Sequence, residues 1–584
     1  MLGKRSPQRG LFEADHCYLD FVGRDSFYGF LASQRGQLFA DEEFAALYTL
    51  DNGRPSVPPS LLATALLLQT YDRVSDEEAT ARAAFDLRWK VALGIELDDR
   101  PFAKSTLQLF RAQLIAHDQV RAVFKKSLTF ARRTGYLKGR TVKAVLDTSF
   151  ILGRGAVKDT YNLLADGIVK LVRALAGQAG ETPETYASDR ALTRYFGSSL
   201  KGEAAIDWDD PQARQTFLQQ IVADADRLVS IARVILADLP PDVPTRAHLV
   251  DAAALLGQIL LQDIERRADG AILHDGVSPD RVVSIHDPEM RHGRKSATRR
   301  FDGHKEVIAV DPESQLILAA AVLPGNAQDH ERAKDVIEQA EQNADVGVEE
   351  TIGDCAFGDG QTRHAFADAK RALVAKVPQR RAQAFFPKDD FRIDLQVMTC
   401  TCPAGHTCQT VVSIGSGKRY GAPDQPPRAF RFDPALCDPC PLRSTCVRAR
   451  PGRGRLVMLH PYEALLQEAR AFQHTAAFAP YRTLRQVAEH RLARLMQLGM
   501  RQARYVGRTK TLFQLLLTAT VANLTLIAAR VGMIGDHYQP NTHAVTAFLI
   551  RITLLITSCS HDSPLAEPSS ARTVRFRAGF RPDL

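Results

Sequence analysis

Three acidic residues that are far apart in the chain have the types and settings needed to bind a divalent cation. Asp147 follows the short β-branched run VKAVL, and Asp354 follows the short run ETIG. Each aspartate is therefore predicted to stand at the end of a strand. Glu489 is the single acid between Tyr481 and Lys510. Carboxylates suit Mg²⁺, and two such ions can clamp the attacking and leaving oxygens of an in-line phosphoryl displacement.

The order of the predicted elements explains how these acids could meet. A turn or helix cap would explain either aspartate alone. After the first strand, however, a long helical region at 161–267 precedes the order strand, strand, helix, strand, helix, strand. This order matches an RNase H-like sheet, in which acids at the ends of the first and fourth strands lie side by side. The later elements are predicted at His304–Val310, Leu316–Leu323, Asp329–Asn343, Glu350–Asp354, Gln361–Arg371 and Leu373–Val377.

Basic residues surround Glu489. Arg485 lies one helical turn before it, so the glutamate could pair with that arginine or complete a metal site while the cations bind phosphates. The predicted phosphate-binding residues are Arg485, Arg494, Arg501, Arg508 and Lys510. A second basic segment, 287–300, suits either a DNA-contacting loop or a solvated run of charge. His330 and Asp329 are interpreted as helix caps.

Six of the nine cysteines lie in one segment. Cys437 and Cys440 form a C-x-x-C pair, and such spacing indicates structural zinc in a reducing compartment. Cysteine spacing alone leaves open which four ligands bind, because His406 is also within reach. The clustered cysteines are Cys400, Cys402, Cys408, Cys437, Cys440 and Cys446.

Bulk composition limits the class of protein. The 584 residues include 75 Lys and Arg against 67 Asp and Glu, a formal charge of +8 that suits a polyanionic partner without requiring one. The N-terminus has no apolar run typical of a secretory signal, so a cytoplasmic location is expected. The apolar stretch Leu512–Ala529 contains Gln514 and Asn523, which favours a buried core helix over a membrane span.

The first 140 residues are predicted to be helical. Ser75 and Glu78 have the spacing of a capping box, and a later helix places Leu107, Phe110 and Leu114 on one face beside Arg111. Short helices with surface arginines suit a helix-turn-helix DNA-binding domain, and plain helical packing explains the same pattern equally well.

Several blocks of this sequence together resemble the insertion-sequence transposases of bacteria that have a DDE catalytic domain. The resemblance rests on RPSVPPSLLATALLLQTYDRVSDEEA, LDTSFILGRGAVKDTYNLL, FDGHKEVIAVD, LPGNAQDHE, TIGDCAFGDG and RQVAEHRLARLMQLGMRQARYVGRTKTLFQ. It implies that Asp147, Asp354 and Glu489 bind Mg²⁺ or Mn²⁺, and that the enzyme cleaves the element's ends and transfers them to target DNA. The implied partners are double-stranded DNA, at the terminal inverted repeats and the target, and a second copy of the chain in a homodimer. The Cys-Pro steps at Cys402 and Cys440 resemble the family's insert and favour Cys402, Cys437, Cys440 and Cys446 as zinc ligands.

The sequence departs from the family pattern at several positions. Arg485 and Glu489 keep the usual spacing on the last helix, Tyr481 lies one residue farther away, and Met496 replaces an expected lysine. Asp359 is the alternative to Asp354. Two other functions remain open: a metal-dependent nuclease without strand transfer, and a DNA-binding regulator without catalysis.

The predicted fold is α/β, with an RNase H-like mixed sheet flanked by helices and interrupted by two inserts. A helical N-terminal DNA-binding domain at 1–140 precedes the first part of the catalytic domain at 141–159. A mainly helical insert at 160–300 separates it from the second part at 301–380. A cysteine-rich zinc-binding insert at 381–480, C-terminal catalytic helices at 481–535, and a helix and flexible tail at 536–584 complete the chain.

Overall fold

The computed structural model describes residues 1–6, 13–49, 53–278, 280–296, 298–378, 385–414 and 427–533. The predicted C-terminal helix and tail at 536–584 lie outside these residues. Within the described ranges the chain has a mixed α/β structure around a six-stranded sheet.

Helices alone form the regular structure of the described N-terminal region, as predicted. Pro59 begins α3, where its missing N–H costs nothing. Ser75 caps α4 by accepting a hydrogen bond from the Glu78 backbone N–H. The helices are α1 (Ala14–Val22), α2 (Phe27–Leu38), α3 (Pro59–Asp72), α4 (Asp76–Phe85), α5 (Leu87–Leu93), α6 (Lys104–Ala116) and α7 (Val120–Arg133).

Arg111 of α6 is not the surface residue that the sequence suggested. Its side chain is buried, and its Nη2 lies 2.6 Å from Asp76 Oδ1. Arg504, far along the chain, reaches the same oxygen at 3.1 Å. Burial acts to raise the pKa of Asp76, but hydrogen bonds from Arg111 and Gln69 outweigh it and hold that pKa well below its usual range. The prediction failed because these charges are paired inside the protein.

The six-stranded sheet combines antiparallel and parallel pairs. Its central strand is antiparallel to one neighbour and parallel to the other. The strands are β1 (Thr141–Leu152), β4 (Arg291–Arg294), β5 (Arg300–Val310), β6 (Ile317–Pro324), β7 (Gly347–Ile352) and β8 (Ala372–Val374). β1 lies between β5 and β7, β8 follows β7 in parallel, and both β4 and β6 pair antiparallel with β5.

A helical layer with its own apolar core follows β1. Asp159 caps its first helix, and Pro183 and Pro211 begin two later ones. The helices are α8 (Thr160–Ala179), α9 (Pro183–Asp189), α10 (Leu200–Glu203), α11 (Pro211–Asp238) and α12 (Pro244–Asp263), followed by the hairpin β2 (Ile264–Arg267) and β3 (Gly270–Leu273). The predicted 160–300 segment also contains β4, which belongs to the central sheet.

Helices from both ends of the chain share one apolar core with the sheet. From the later part of the chain they are α13 (Ala333–Ala344), α14 (Gly360–Asp368), α18 (Ala479–Leu495) and α19 (Arg508–Arg530). α17 (Glu463–Gln473) packs against α14. By length and composition α19 could cross a membrane, but 78% of its apolar window is buried inside the protein. Asn523 of α19 bonds both the N–H and the C=O of Ile317 on β6. α19 is therefore a core helix here, as predicted.

The cysteine-rich segment forms two small sheets around a separate apolar cluster. Its elements are β9 (Arg392–Asp394), β10 (Thr399–Thr401), β11 (Thr407–Cys408), β12 (Val411–Ser413), β13 (Arg428–Arg431), α15 (Pro434–Cys437), α16 (Arg443–Cys446) and β14 (Leu456–Leu459). Helices begin earlier than residue 481, the predicted start of the C-terminal helices, since α17 begins at Glu463 and α18 at Ala479.

Candidate active site

Asp147 lies inside β1, and the prediction that it ends the strand was wrong. β1 runs on to Leu152 because its antiparallel partner β5 continues to pair with it over 145–152. The parallel partner β7, by contrast, pairs only with 141–145. Asp147 therefore lies two residues beyond Val145, the last residue of β1 that pairs with β7.

Asp354 reaches the matching position on the neighbouring strand. Val145 pairs with Ile352 in parallel register, so Asp147 and Asp354 each lie two residues farther along. Residues separated by two positions point to the same face of a strand. Asp354 Oδ1 accepts a hydrogen bond of 2.8 Å from the Ala356 N–H and caps a short 3₁₀ turn. This cap leaves the other carboxylate oxygen of Asp354 without a hydrogen bond in the turn.

Glu489 is carried on α18, which packs against both β1 and β5. Its side chain is 52% exposed, and its Oε1 accepts a hydrogen bond of 2.8 Å from Arg485 Nη2. The ion pair between Arg485 and Glu489, which the sequence left open, is thus present. An exposed ion pair of this kind contributes little to stability, so Glu489 is free to exchange partners at small cost.

Asp354 and Glu489 both lie within electrostatic reach of Asp147. Burial raises the pKa of Asp147 to about 6, and the Thr148 backbone N–H opposes that rise by donating to Asp147 Oδ1 at 2.8 Å. The charges of Asp354 and Glu489 raise this pKa further, while Arg485 lowers it. Among the described residues, however, no three His, Cys, Asp or Glu side chains are close enough together to hold a metal ion as they stand.

Three polar residues beside this site, Asp359, Asp329 and His330, have structural partners. Asp359, the alternative acid, caps α14 through the backbone N–H groups of Gln361 and Thr362. The prediction that His330 and Asp329 cap a helix was wrong, because α13 begins at Ala333 without a side-chain cap. Instead, Asp329 accepts a hydrogen bond from Lys305, and His330 lies 3.3 Å from Asp359.

The five predicted phosphate-binding cations have different surroundings. Arg485 is paired with Glu489, Arg494 donates to Gln497, and Arg508 is held by Glu289. The guanidinium carbon of Arg501 lies 4.5 Å from the centre of the Phe150 ring. Lys510 is exposed near the start of α19.

Arg491, which added to the apparent basic character of α18, is internal. It is buried and donates a hydrogen bond of 2.8 Å to the Ala522 carbonyl of α19. Burial lowers the pKa of Arg491 to about 10. Its role is to join two core helices.

The clustered cysteines divide into two groups. Cys400 and Cys408 are directly opposed on β10 and β11, and both are buried. Burial raises the pKa of Cys400 to about 12, and the Cys408 thiol donates to the Arg431 carbonyl at 3.1 Å. Both belong to the apolar cluster of this segment, which also includes Cys446.

The other four cysteines line one pocket. Cys402, Cys437, Cys440 and Cys446 share its walls with His406. Burial raises the pKa of Cys446, and neighbouring Cys437, Cys402 and Cys440 raise it further. Cys402, Cys437 and Cys440 are therefore all near Cys446, although the four do not form a ligand set in the described residues.

Two family models match the chain. One is described as a transposase DDE domain and covers residues 401–528, and the other is described as a transposase domain (DUF772) and covers residues 17–113. Together the two matches indicate an insertion-sequence DDE transposase. Comparison of the chain with curated proteins and with solved structures found no match.

The match to the DDE domain includes Glu489 and every clustered cysteine except Cys400. It begins at residue 401, so neither Asp147 nor Asp354 lies within it. The relation of Asp147 and Asp354 to Glu489 therefore rests on the geometry of β1, β7 and α18. Membership of the family implies an enzyme that binds and transposes DNA.

Sequence reasoning missed a buried carboxylate beside the acids of the transposase. Glu306 on β5 pairs in register with Ser149, so it faces the same side of the sheet as Asp147. It is fully buried, and neither carboxylate oxygen has a hydrogen-bond partner among the described residues. Nearby on the same strand, His304 Nε2 lies 3.4 Å from Asp287 Oδ2, and both residues are fully buried. Alternating polar residues in the FDGHKEV run were the available signal.

Proposed function

We propose that this transposase uses Asp147, Asp354 and Glu489 to cleave DNA at the ends of its element and to join those ends to target DNA. The observation that carries the proposal is the matched register of Asp147 and Asp354 on parallel strands, with Glu489 near enough to raise the pKa of Asp147. Side chains brought together from three distant segments, against their mutual repulsion, are typical of a functional site.

We also propose that the catalytic sheet is RNase H-like. The strand order β6, β5, β1, β7, β8 supports this assignment, as do the antiparallel pairing of β5 and β6 with their neighbours and the parallel direction of β7 and β8. Such a sheet places its first and fourth strands side by side, and the two aspartates lie at matched positions, Asp147 on β1 and Asp354 just after β7. The proposed domain limits are those given by the sequence, with β4 added to the sheet.

The three acids suit Mg²⁺ or Mn²⁺ by their chemistry. Carboxylate oxygens are the protein ligands that these ions prefer, and bound ions would stabilise charge on the attacking and leaving oxygens of a phosphodiester. The chain's own residues prepare this site. The Thr148 N–H fixes one oxygen of Asp147, the cap at Ala356 fixes one oxygen of Asp354, and Arg485 balances the charge of Glu489.

DNA phosphates are proposed to contact the cations that follow and flank Glu489. Arg485, Arg494, Arg501, Arg508 and Lys510 extend from α18 to the start of α19, and cations at such positions bind phosphate without reading sequence. The proposed partners are the terminal inverted repeats, target DNA and a second copy of the chain, because two element ends must be joined. The N-terminal helices are proposed to bind DNA, and the protein is proposed to act in the cytoplasm.

We propose that Cys402, Cys437, Cys440 and Cys446 hold a structural zinc ion. Their shared pocket supports this choice, as does the separate burial of Cys400 and Cys408 in a strand pair. Thiolates prefer zinc, and four of them leave no open position for a substrate. The ion would therefore stabilise the small domain and take no part in DNA chemistry.

The test is a cleavage and joining assay with DNA that flanks the reading frame on both sides. Wild-type protein in Mg²⁺ should release 3′ ends and join them to a plasmid, whereas Asp147→Asn, Asp354→Asn and Glu489→Gln should bind DNA without cleaving it. Asp359→Asn is the matched control and should remain active. Loss of activity in Asp359→Asn with activity retained in Asp354→Asn would reverse the assignment of the second acid.

The same assay separates the two other functions. Nicked products without joined strands would indicate a metal-dependent nuclease. Binding without any cleavage by the wild type, unchanged in the three acid variants, would indicate a regulator.

A further inference from the structure

A lysine, a glutamate and a tyrosine join the three elements that bring the proposed metal-binding acids together. Lys143 of β1 and Glu350 of β7 are paired in parallel register, and Lys143 Nζ lies 2.6 Å from Glu350 Oε2. Tyr481 of α18 donates its hydroxyl hydrogen to the same carboxylate, with distances of 2.9 Å to Oε1 and 3.1 Å to Oε2. One carboxylate therefore connects two strands and a helix.

On the two strands, this ion pair precedes the aspartates by equal lengths of chain. Asp147 follows Lys143 by four residues, and Asp354 follows Glu350 by four. Four residues span about 13 Å of extended strand. An even number of residues also keeps side chains on one face of a sheet. The ion pair and the two aspartates therefore share a face and are separated along the strands by the same length.

On α18, the distance from the tyrosine to the glutamate matches this length. Glu489 follows Tyr481 by eight residues, which is about 12 Å along a helix. Positions 481, 485 and 489 follow one another at intervals of four, so they form one row along the helix surface. Tyr481 lies at Glu350 and Glu489 lies near Asp147, so α18 runs in the direction of β1. A helix held at Tyr481 thus carries Glu489 to the level of the aspartates.

Apolar packing holds mainly the second half of α18. The buried side chains of this helix begin at residue 488 and are Ala488, Arg491, Leu492 and Leu495. Apolar contacts do not depend on direction, whereas hydrogen bonds do. The Tyr481 hydroxyl therefore supplies a directional contact in the half of α18 that precedes Glu489, where no side chain is buried.

Neighbouring groups fix both partners of this hydrogen bond. The ring centres of Phe472 and Phe478 each lie 6.1 Å from the ring centre of Tyr481, so the tyrosine is held between other aromatic side chains. Burial acts to raise the pKa of Glu350, but hydrogen bonds from Lys143 and Tyr481 outweigh it and hold that pKa below its usual range. The carboxylate is therefore charged when it accepts the hydrogen bond, which strengthens the contact.

We propose that Glu350 and Tyr481 are positioning residues, which set α18 against the sheet so that Glu489 reaches a metal ion bound by the two aspartates. Lys143 keeps the Glu350 carboxylate charged and in place. This inference rests on the proposed function of the three acids, and neither positioning residue touches metal or DNA in it. Loss of a partner that orients a metal ligand typically costs about 10–100-fold in metal affinity or activity.

The first test is the Mg²⁺ dependence of DNA cleavage by the full chain. Tyr481→Phe removes only the hydroxyl group, and Glu350→Gln keeps the shape of the side chain. Each should raise the Mg²⁺ concentration for half-maximal cleavage by about 10-fold. The double variant should show no larger rise than the stronger single variant, because both substitutions remove one contact. Additive effects would show that the two side chains act separately and would overturn the proposal.

Glu349→Gln is the matched control. Glu349 is exposed and is the neighbour of Glu350 on β7, so its side chain points to the opposite face of the strand. Its replacement removes the same charge and should leave the Mg²⁺ dependence as in wild type. An equal shift in this control, or no shift in Tyr481→Phe and Glu350→Gln, would refute the positioning role.

Amide hydrogen exchange in EDTA tests the placement of α18 without metal or DNA. Tyr481→Phe and Glu350→Gln should both speed exchange across residues 482–489, because this half of the helix loses its polar contact, and should leave exchange in β5 and α19 unchanged. Unchanged exchange across 482–489 would overturn the positioning role. If the wild type cleaves no DNA, the proposed function fails, whereas faster exchange in the two variants would still support the contact that holds α18 to β7.

Discussion

The carboxyl group of Glu306 should make the stability of this protein depend on pH in a defined direction. Burial raises its folded-state pKa from 4.5 to about 8. The native state thus keeps a proton that the unfolded chain releases as pH rises from 4.5. The wild type should therefore lose stability across this interval, and the loss should be complete once pH passes the folded pKa.

The size of this effect follows from the two pKa values. One pKa unit corresponds to about 1.4 kcal/mol, so the penalty is about 1 kcal/mol at pH 5 and about 4 kcal/mol at pH 7.5. Glu306→Gln retains the shape of the protonated acid but cannot ionise. Its free energy of unfolding, relative to wild type, should therefore rise by about 3 kcal/mol between these two pH values.

Urea unfolding at pH 5 and pH 7.5 measures this difference directly. Using the change between two pH values cancels any constant effect of the amide on packing. Glu349→Gln, on the exposed face of β7, is the control and should show no comparable change. If Glu306→Gln and wild type keep the same difference at both pH values, Glu306 is ionised in the folded protein and the reasoning fails.

Three further predictions concern the acids, the core and the cysteines. Asp147→Asn should abolish cleavage. In EDTA at pH 8 it should also raise the free energy of unfolding by at most about 3 kcal/mol, because the wild-type carboxylate is then ionised despite its burial and the nearby charges of Asp354 and Glu489. A free energy of unfolding below that of wild type, measured in urea, would contradict this. Asn523→Ala should lower the free energy of unfolding in urea by about 2–4 kcal/mol, since both backbone groups of Ile317 lose their partner; a loss below about 1 kcal/mol would count against it. Metal analysis should find about one zinc ion per chain that Cys437→Ser removes and Cys400→Ala retains; the opposite result would exchange the two cysteine groups.

The sequence predicted the order of the central elements because their hydrophobic patterns are local. The strands β5 and β6 and the helices α13 and α14 all appear close to their predicted limits. The end of β1 was predicted wrongly because Thr148 and Ser149 resemble a turn. Only the pairing with β5 reveals that the strand continues.

Features that depend on distant partners could not be predicted. Arg111 is buried because Asp76 and Arg504 come together around it, and neither pairing is visible in a local pattern. Arg491 is basic yet internal for a similar reason. The register that aligns Asp147 with Asp354 likewise arises from strand pairing. The order of the elements predicted only that the two aspartates lie side by side.

Asp147, Asp354 and Glu489 are proposed to bind divalent cations together at one site. The most direct measurement replaces Mg²⁺ with Fe²⁺ and maps the peptide bonds cut by hydroxyl radicals generated at the bound iron. The account predicts cuts near residues 147, 354 and 489 that excess Mg²⁺ suppresses and that Asp147→Asn removes together. Cuts confined to other segments, or cuts at these residues that survive Asp147→Asn, would contradict it.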